Sequence, residues 1–336
     1  MARSDEPEGL GRAGQGGADA PSTAVGTPDG PGAPDPGPVF GGQLPTVGDA
    51  TAVPAVRFNP LSTKPVRTVF IHGVLASTSM WKSVVSGNLA DEAAALPLPG
   101  HFPWAIDAEA AGRAFDDLRF LQAYRDWLED AATGPVHIVA HSAGSVAALK
   151  FAALYPDRVG HLTLLGTFGD GPSAVAASLM ARTVTLPLVG RPLFERLHRL
   201  WLQSADWYNA GLATAKPPPP GHSDQPVQPP SRAERAMLAD LRRSDPEALR
   251  RAVLWLQQTS VREELAGIKT PATVLVCQDD PVVSLDKQMD IVRSLPNATA
   301  VVSHVGHLPM FEAPDVLRRI IEGQNEAMFG AAAGRS

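Results

Sequence analysis

The run Val136-His137-Ile138-Val139-Ala140-His141 ends at Ser142-Ala143-Gly144-Ser145 and passes at once into Val146-Ala147-Ala148-Leu149. Its first part is apolar and rich in β-branched residues, the pattern of a strand buried on both faces, and its last part has helical spacing. No loop residues separate the two, so the chain is expected to turn sharply from strand to helix at Ser142. So tight a turn presses its flanks against neighbouring backbone, and Ala140 and Gly144, two residues to either side, are small. Ser142 would then stand at the carboxyl end of a strand, over a helix N-terminus. There the N–H of Ala143 is free to meet an oxyanion, because the first turn of a helix leaves its donors unpaired. Ser142 is the candidate nucleophile. An ordinary strand-to-helix turn would use the same small residues, so the chemistry depends on partners elsewhere in the chain.

With 336 residues, 44% of them hydrophobic, the chain is long enough for a full α/β core, and a net charge of −6 gives no electrostatic case for nucleic acid. The single cysteine, Cys277, excludes an intramolecular disulfide. No stretch reaches the roughly 18 apolar residues of a membrane span, and no secretory leader is evident near Met1, so a cytoplasmic location is expected. Residues 1–50 hold 20 Gly or Pro and few large apolar groups. Such a segment buries too little surface to offset its conformational entropy, and residues 1–54 are expected to form a disordered tail.

Beyond the tail, short apolar runs alternate with helical patterns, which implies a mostly parallel sheet flanked by helices. Strands are expected at Val56–Asn59, at Val66–Ile71 before His72-Gly73, and at Ala93–Leu98. Val136–His141, Val159–Leu165, Thr273–Cys277 and Ala298–Val302 complete the set. Ser79-Met80-Trp81 reads as a helix opening, and Phe115, Leu118, Leu121, Tyr124 and Leu128 give a helix over Ala114–Asp130. The elbow helix should stop near Tyr155, before Pro156. After Gly166 the rhythm breaks. Residues 168–254 are helical in pattern and rich in large apolar groups, among them Leu179, Met180, Phe194, Trp201, Trp207 and Tyr208. Within them, residues 216–231 carry a Pro run and read as a polyproline-like loop.

Four motifs now stand in order. They are His72-Gly73 after an early strand; Ala-His-Ser-Ala-Gly at Ala140–Gly144; Gln278-Asp279-Asp280-Pro281-Val282-Val283; and Gly306-His307 followed by Glu312-Ala313-Pro314. Together they resemble the α/β-hydrolase family, whose nucleophile elbow is Gly-x-Ser-x-Gly and whose triad runs serine, acid, histidine along the chain. Ala140 replaces the first glycine. Pro97-Leu98-Pro99-Gly100-His101 resembles the family's Asp-Leu-Pro-Gly-His loop, with Pro97 in place of aspartate and Phe102 where glycine is frequent. The resemblance covers Arg57 to Ala327. It implies an α/β-hydrolase fold with residues 55–167 and 255–330 as core and 168–254 as a helical cap.

It also assigns roles. Ser142, Asp280 and His307 would form the triad, with Asp279 as the rival acid and Asp170 a distant third. The loop register, aspartate just before the x-Val-Val type run, favours Asp280. The backbone N–H groups of Val74 and Ala143 would form the oxyanion hole. His72, Gly73, His141, Trp104 and Trp201 are the expected substrate-binding residues. Serine is a poor nucleophile and needs a base, histidine can take and return its proton, and a carboxylate fixes the tautomer.

Other residues read more simply as structural. His304 and His307 lack the further ligands of a metal pair. His137 and His141 read more simply as packing or orienting groups, and Cys277 as a small buried hydrophobe. No metal or cofactor is expected. The implied activity is hydrolysis of an ester, lactone or thioester of a hydrophobic small molecule through an acyl-enzyme. An acyltransferase, a C–C hydrolase, a cofactor-free peroxidase-like enzyme and a ligand-binding receptor are the alternatives the fold leaves open. Dehalogenase chemistry is disfavoured, because those members carry aspartate where Ser142 stands. The sequence does not fix the oligomeric state.

Deleting residues 1–50 should leave the melting temperature and turnover nearly unchanged, since little core is present there to lose. Thermal denaturation of the truncated chain checks this; a large drop would mean that the segment docks on the domain.

Overall fold

The computed structural model describes residues 52–172, 184, 186, 189–203 and 230–330. The expected tail up to residue 51, most of the Pro-rich loop, and Leu179, Met180, Trp207 and Tyr208 lie outside them. Val53 already belongs to the main core, so the expected tail boundary at residue 54 falls late.

Seven strands form one sheet: β1 (Val56–Arg57), β2 (Thr68–Ile71), β3 (Ala93–Leu96), β4 (Val136–His141), β5 (Val159–Leu165), β6 (Ala272–Cys277) and β7 (Ala298–Ser303). Their order is β1-β3-β2-β4-β5-β6-β7, with β1 antiparallel to β3 and every other pair parallel. The helices are α1 (Gly87–Asp91), α2 (Ala108–Asp116), α3 (Arg119–Ala131), α4 (Ala143–Leu154) and α5 (Gly190–Trp201), then α6 (Arg232–Arg243), α7 (Pro246–Gln258), α8 (Leu285–Ser294), α9 (Pro309–Glu312) and α10 (Pro314–Asn325).

Strands β2 to β4 are buried along their whole length, as a parallel sheet covered on both faces requires. Alternate side chains enter different cores. Val69, Ile71, Ile138, Ala140, Leu164 and Val274 face one, while Phe70, Val139, Leu165 and Leu275 face the other with Met80, Trp81 and Leu317. The expected strands all form, within a residue or two of the predicted bounds.

Two helix expectations need correction. The single helix over Ala114–Asp130 is two, α2 and α3, broken at Asp117-Leu118, where Leu118 turns left-handed at φ 55°. Asp116 and Asp117 place negative charge at the C-terminus of α2, where the helix dipole opposes it. That helix starts earlier than expected, at Ala108, because the Asp107 side chain accepts the Ala110 N–H at 2.8 Å and caps it. Thr78–Ser83 is one short 3-10 segment rather than the opening of a helix. The expected boundary between cap and core at residue 254 also falls inside a helix. α7 runs through it, placing Ala248, Ala252 and Trp255 in the main core and Leu249 and Val253 in the second.

Several histidines are buried in this frame without charge. His137 bridges Asn325 Oδ1 (2.8 Å) and Thr163 Oγ1 (2.8 Å), tying α10 to β4 and β5. Burial pushes His137 and His141 down to about 3 and His101 and His198 to about 4, and holds His72 well below the ordinary imidazole range. In the unfolded chain each would titrate near 6.5. Between these values the unfolded state binds more protons than the native state, so stability falls as pH drops. Each such ring withdraws about 1.4 kcal/mol per pH unit below about 6.5, levelling off once the native ring protonates. Urea unfolding at pH 7.5 and pH 5 should show a loss of several kcal/mol, with a flat profile between pH 7 and 8; equal stability at both values would contradict neutral burial.

Candidate active site

The parallel register brings the carboxyl ends of β4, β5 and β6 side by side, and the candidate residues sit just beyond them. At the end of β4 the chain passes into α4 through Ser142, whose φ of 53° and ψ of −122° lie where an L-residue is strained. The turn is held from several sides. The Ser142 N–H donates to Leu165 O at 2.9 Å, the Ser145 N–H to Ser142 O at 2.9 Å, and the Ser145 hydroxyl to Ala140 O at 2.9 Å. Gly144 permits the turn: a Cβ there would lie 2.5 Å from the His72 carbonyl oxygen and 2.6 Å from that of Ile71. Gly73 does the same from the other strand, since a Cβ on it would meet Ser142 Cβ at 3.0 Å and His141 Nδ1 at 3.1 Å.

The acid and the histidine form a buried pair. His307 Nδ1 lies 2.8 Å from Asp280 Oδ2, and Asp280 Oδ1 accepts the N–H groups of Val282 (2.7 Å) and Val283 (2.9 Å). Burial alone would raise the Asp280 pKa, but His307 and the two amides outweigh it and hold the carboxyl below the usual carboxylate range. Asp280 is therefore ionised, and His307 carries its proton on Nδ1, leaving Nε2 as the basic nitrogen. Asp279 faces outward, with half-exposed carboxylate oxygens 3.6 Å from the exposed His304 ring. Asp170 borders a separate cavity of about 240 Å³ with Arg262 and Lys287, which neither Ser142 nor His307 lines.

Gly166, at φ 52°, joins the serine to the pair. It follows Leu165, which accepts the Ser142 amide, and a Cβ on it would come within 3.1 Å of His307 Nδ1 and 3.2 Å of Asp280 Oδ2. The sequence marks Gly166 only as the point where the strand–helix rhythm ends. Ser142 makes no hydrogen bond through its hydroxyl among the described residues, so the serine-to-histidine contact is not formed in this structure. The Val74 and Ala143 N–H groups likewise have no acceptor among the described residues.

The backbone of His307 is braced as closely as its ring. His141 Nε2 lies 2.8 Å from the His307 carbonyl oxygen, and the two rings are 4.7 Å apart. Since the carbonyl only accepts, His141 donates from Nε2 and its Nδ1 is bare; that atom is buried and has no partner among the described residues. Glu312 accepts the amides on either side, Gly306 N–H at 2.6 Å and Leu308 N–H at 3.3 Å. Gln288 of α8 performs the same service for the acid loop, bonding Cys277 N–H, Cys277 O and Val283 O at 2.8–3.0 Å. Glu312 was legible only as part of a motif, and Gln288 not at all, since a lone Gln on a helix carries no pattern. Cys277 is a buried thiol pushed up to about 12, first by burial and then by Asp280, and it is not a nucleophile at neutral pH.

The expected substrate-binding residues are distributed differently. Trp104 has no accessible surface and lies in the main core 6.3 Å from the Tyr124 ring, so it cannot form a wall of the cleft. Trp201 packs in the second core with Phe194, and His72 is fully buried as a link between loops. Phe102 is also buried, under the Arg243 guanidinium at 3.7 Å. These rings are large enough that core packing claims them first. Gly73 and His141 do lie against Ser142 and His307. Among the described residues no group of three His, Cys, Asp or Glu side chains is placed to hold a metal ion, and no helix is long and apolar enough to cross a membrane.

This fold and site define an α/β hydrolase. A model of the alpha/beta hydrolase family matches residues 68–320, and the chain belongs to that family. A 2-hydroxy-6-oxononadienedioate/2-hydroxy-6-oxononatrienedioate hydrolase of Comamonas testosteroni is 28% identical over 191 residues, 55% of this chain and 60% of that one. A lipase of Mycobacterium tuberculosis is 32% identical over 115 residues, 32% of this chain and 39% of that one. In the more extensive of these matches the chain spans about three-fifths of the curated relative's length. A loop variant of a haloalkane dehalogenase from Bradyrhizobium elkanii superposes with a TM-score of 0.60 at 17% identity, over 81% of this chain and 92% of that one, and shares the fold alone. The relatives' names support a hydrolase.

Asp280→Asn should lower turnover about 10⁴-fold, because an amide in place of the carboxylate disfavours the Nδ1–H tautomer of His307. Asp279→Asn, at the surface, should change it less than twofold. Steady-state kinetics on both variants checks the ranking, and the reverse order would reassign the acid.

Proposed function

We propose that the protein is a serine hydrolase that cleaves an ester, lactone or thioester of a hydrophobic small molecule. The observation that carries this reading is the buried 2.8 Å bond from His307 Nδ1 to Asp280, set beside a serine on a strained strand-to-helix turn. Ser142 Oγ attacks the carbonyl carbon while His307 Nε2 takes its proton. The oxyanion is received by the N–H groups of Val74 and Ala143, donors fixed before charge develops. Collapse expels the alcohol or thiol, which takes the proton from His307, and an acyl-serine remains. Water, deprotonated by the same nitrogen, then releases the carboxylic acid and restores Ser142. The step requires the serine hydroxyl to come within hydrogen-bond reach of Nε2, a contact that commonly tightens only when substrate is bound.

The hydrophobic part of the proposal rests on the side chains around the motif. Val74 is half-buried at the motif itself, and Leu75, Val305 and Leu308 belong to the apolar cluster on that side of the sheet. Among the described residues Asp280 is the one charged side chain bonded to the His307 ring, and it is covered. A second reading, hydrolysis of a carbon–carbon bond beside a carbonyl, is favoured by several relatives that are 2-hydroxy-6-oxo-dienoate or -dienedioate hydrolases.

Purified protein assayed on p-nitrophenyl esters from acetate to octanoate tests the reading. kcat/KM should rise with chain length, by up to about fourfold per methylene, given about 0.8 kcal/mol for each one buried. Ser142→Ala and His307→Ala should each lower it about 10⁴-fold with the fold intact. A preference for acetate would overturn the apolar site, and an active Ser142→Ala variant would overturn the acyl-enzyme.

A further inference from the structure

Two buried histidines that the reaction does not use grip the loop carrying Val74. His72, just past β2, accepts the Leu98 N–H on Nε2 at 3.2 Å, and its Nδ1 lies 2.7 Å from the Gly73 carbonyl oxygen. His101 mirrors it from the facing loop. Its Nε2 accepts the Leu75 N–H at 3.2 Å, and its Nδ1 lies 3.2 Å from Pro99 O. The rings are 5.0 Å apart and neither has accessible surface. Each loop thus receives an imidazole from the other, 26 residues away in both directions.

The chemistry leaves one protonation state for both. A backbone amide can only donate, so each Nε2 must be bare; each ring then carries its hydrogen on Nδ1, where a carbonyl oxygen waits for it. Burial depresses both pKa values, that of His101 to about 4, so neither ring takes a second proton at neutral pH.

What these bonds hold is the orientation of two consecutive peptide planes. The Gly73 carbonyl and the Val74 N–H belong to one planar trans unit and point in opposite directions. Fixing the carbonyl by His72 Nδ1–H therefore fixes where the Val74 N–H points. The next unit, Val74 C=O with Leu75 N–H, is fixed by His101 Nε2. Leu75 needs that restraint, because its φ of 57° is a left-handed conformation that a leucine would leave if released. The His101 loop is itself anchored at the junction of α6 and α7: the Phe102 N–H donates to Ser244 Oγ at 2.9 Å, and Gly100, at φ 78°, lies so close to Ala248 that a Cβ would sit 2.7 Å from that residue's Cβ.

We infer that His72 and His101 are positioning residues for the oxyanion donor of Val74, each acting in its Nδ1–H tautomer on one of the two peptide planes that flank Val74. Neither touches substrate. This inference rests on the hydrolytic reading above, in which Val74 receives the oxyanion.

Paired variants test it. His101→Leu removes the acceptor, while His101→Gln restores one at about the position of Nε2; His72→Leu removes the donor to Gly73, while His72→Asn restores one at about the position of Nδ1. Both Leu variants should lose about 10²-fold in kcat, the effect of misplacing one oxyanion donor, with KM within about threefold. The Gln and Asn variants should recover most of the loss. The inhibition constant of a trifluoromethyl ketone, whose serine adduct bears the oxyanion, should weaken by the same factor as kcat. A merely structural role would lower the fraction of active protein without moving that constant, and end-point titration with a fluorophosphonate counts the active sites. Independently of any turnover, long-range ¹H–¹⁵N correlation at pH 7 should show His72 and His101 as neutral Nδ1–H rings. Titratable Leu variants with kcat within threefold of the parent, or Nε2–H tautomers at these rings, would overturn the inference while Ser142→Ala stays inactive. An active Ser142→Ala would instead remove the hydrolytic reading, and this inference with it. If the Leu variants fail to fold, the Gln and Asn variants and the tautomers decide: Nδ1–H rings, with kcat and the ketone constant of these variants close to those of the parent, support it, and Nε2–H rings or a loss of about 10²-fold in these variants overturn it.

Discussion

The N-terminus of α4 packs backbone to backbone against the end of β2, and the site depends on that contact. Gly144 stands against the carbonyl oxygens of Ile71 and His72 at a distance no side chain could share. That contact allows the chain to leave β4 at Ser142 without a loop, holds the serine in its strained conformation, and brings the Ala143 and Val74 amides to the same end of the sheet. A methyl group at position 144 would push helix and strand apart. The serine, both amides and the loop after β2 would then move relative to one another, although none of them had been changed.

Around that point the structure restrains backbone and side chains together. His307 is bonded to Asp280 through its ring, to His141 through its carbonyl, and to Glu312 through the amides on both sides. Asp280 is held by Val282 and Val283, and its loop by Gln288. In a buried, weakly polar setting each of these bonds is stronger than in water, and each would be costly to leave unmade. The histidines serve this purpose because a neutral imidazole offers one donor and one acceptor on a rigid ring, and burial keeps it neutral. The same property makes the fold sensitive to acid.

Helices α6 and α7 are tied into the loops that lead to the site. α7 lies in both cores, and α6 and α7 meet the Pro99–Pro103 loop through Ser244 and Ala248. The packing is therefore continuous across residue 254, which lies inside a helix. Trp104 and Trp201, expected at the cleft, are buried members of the main and second cores.

What could be read from the chain alone was whatever depends on local pattern. Buried parallel strands announce themselves as β-branched runs, and the elbow as a strand, a serine between small residues, and a helix. The order Ser142, Asp280, His307 and the glycines at 73 and 144 follow from such patterns, as does the core sheet. The tertiary structure shows which of two adjacent aspartates turns inward, because only Asp280 meets the His307 ring and the Val282 and Val283 amides in the turn after β6. It also decided that Gly166 lies against the Asp280–His307 pair, that Gln288 and Glu312 brace it, and that His72 and His101 grip each other's loops. Those partners are 26 or more residues apart or carry no periodic signal. Their meeting is set by how the sheet closes against its helices, a property of three-dimensional packing that no window of the sequence contains.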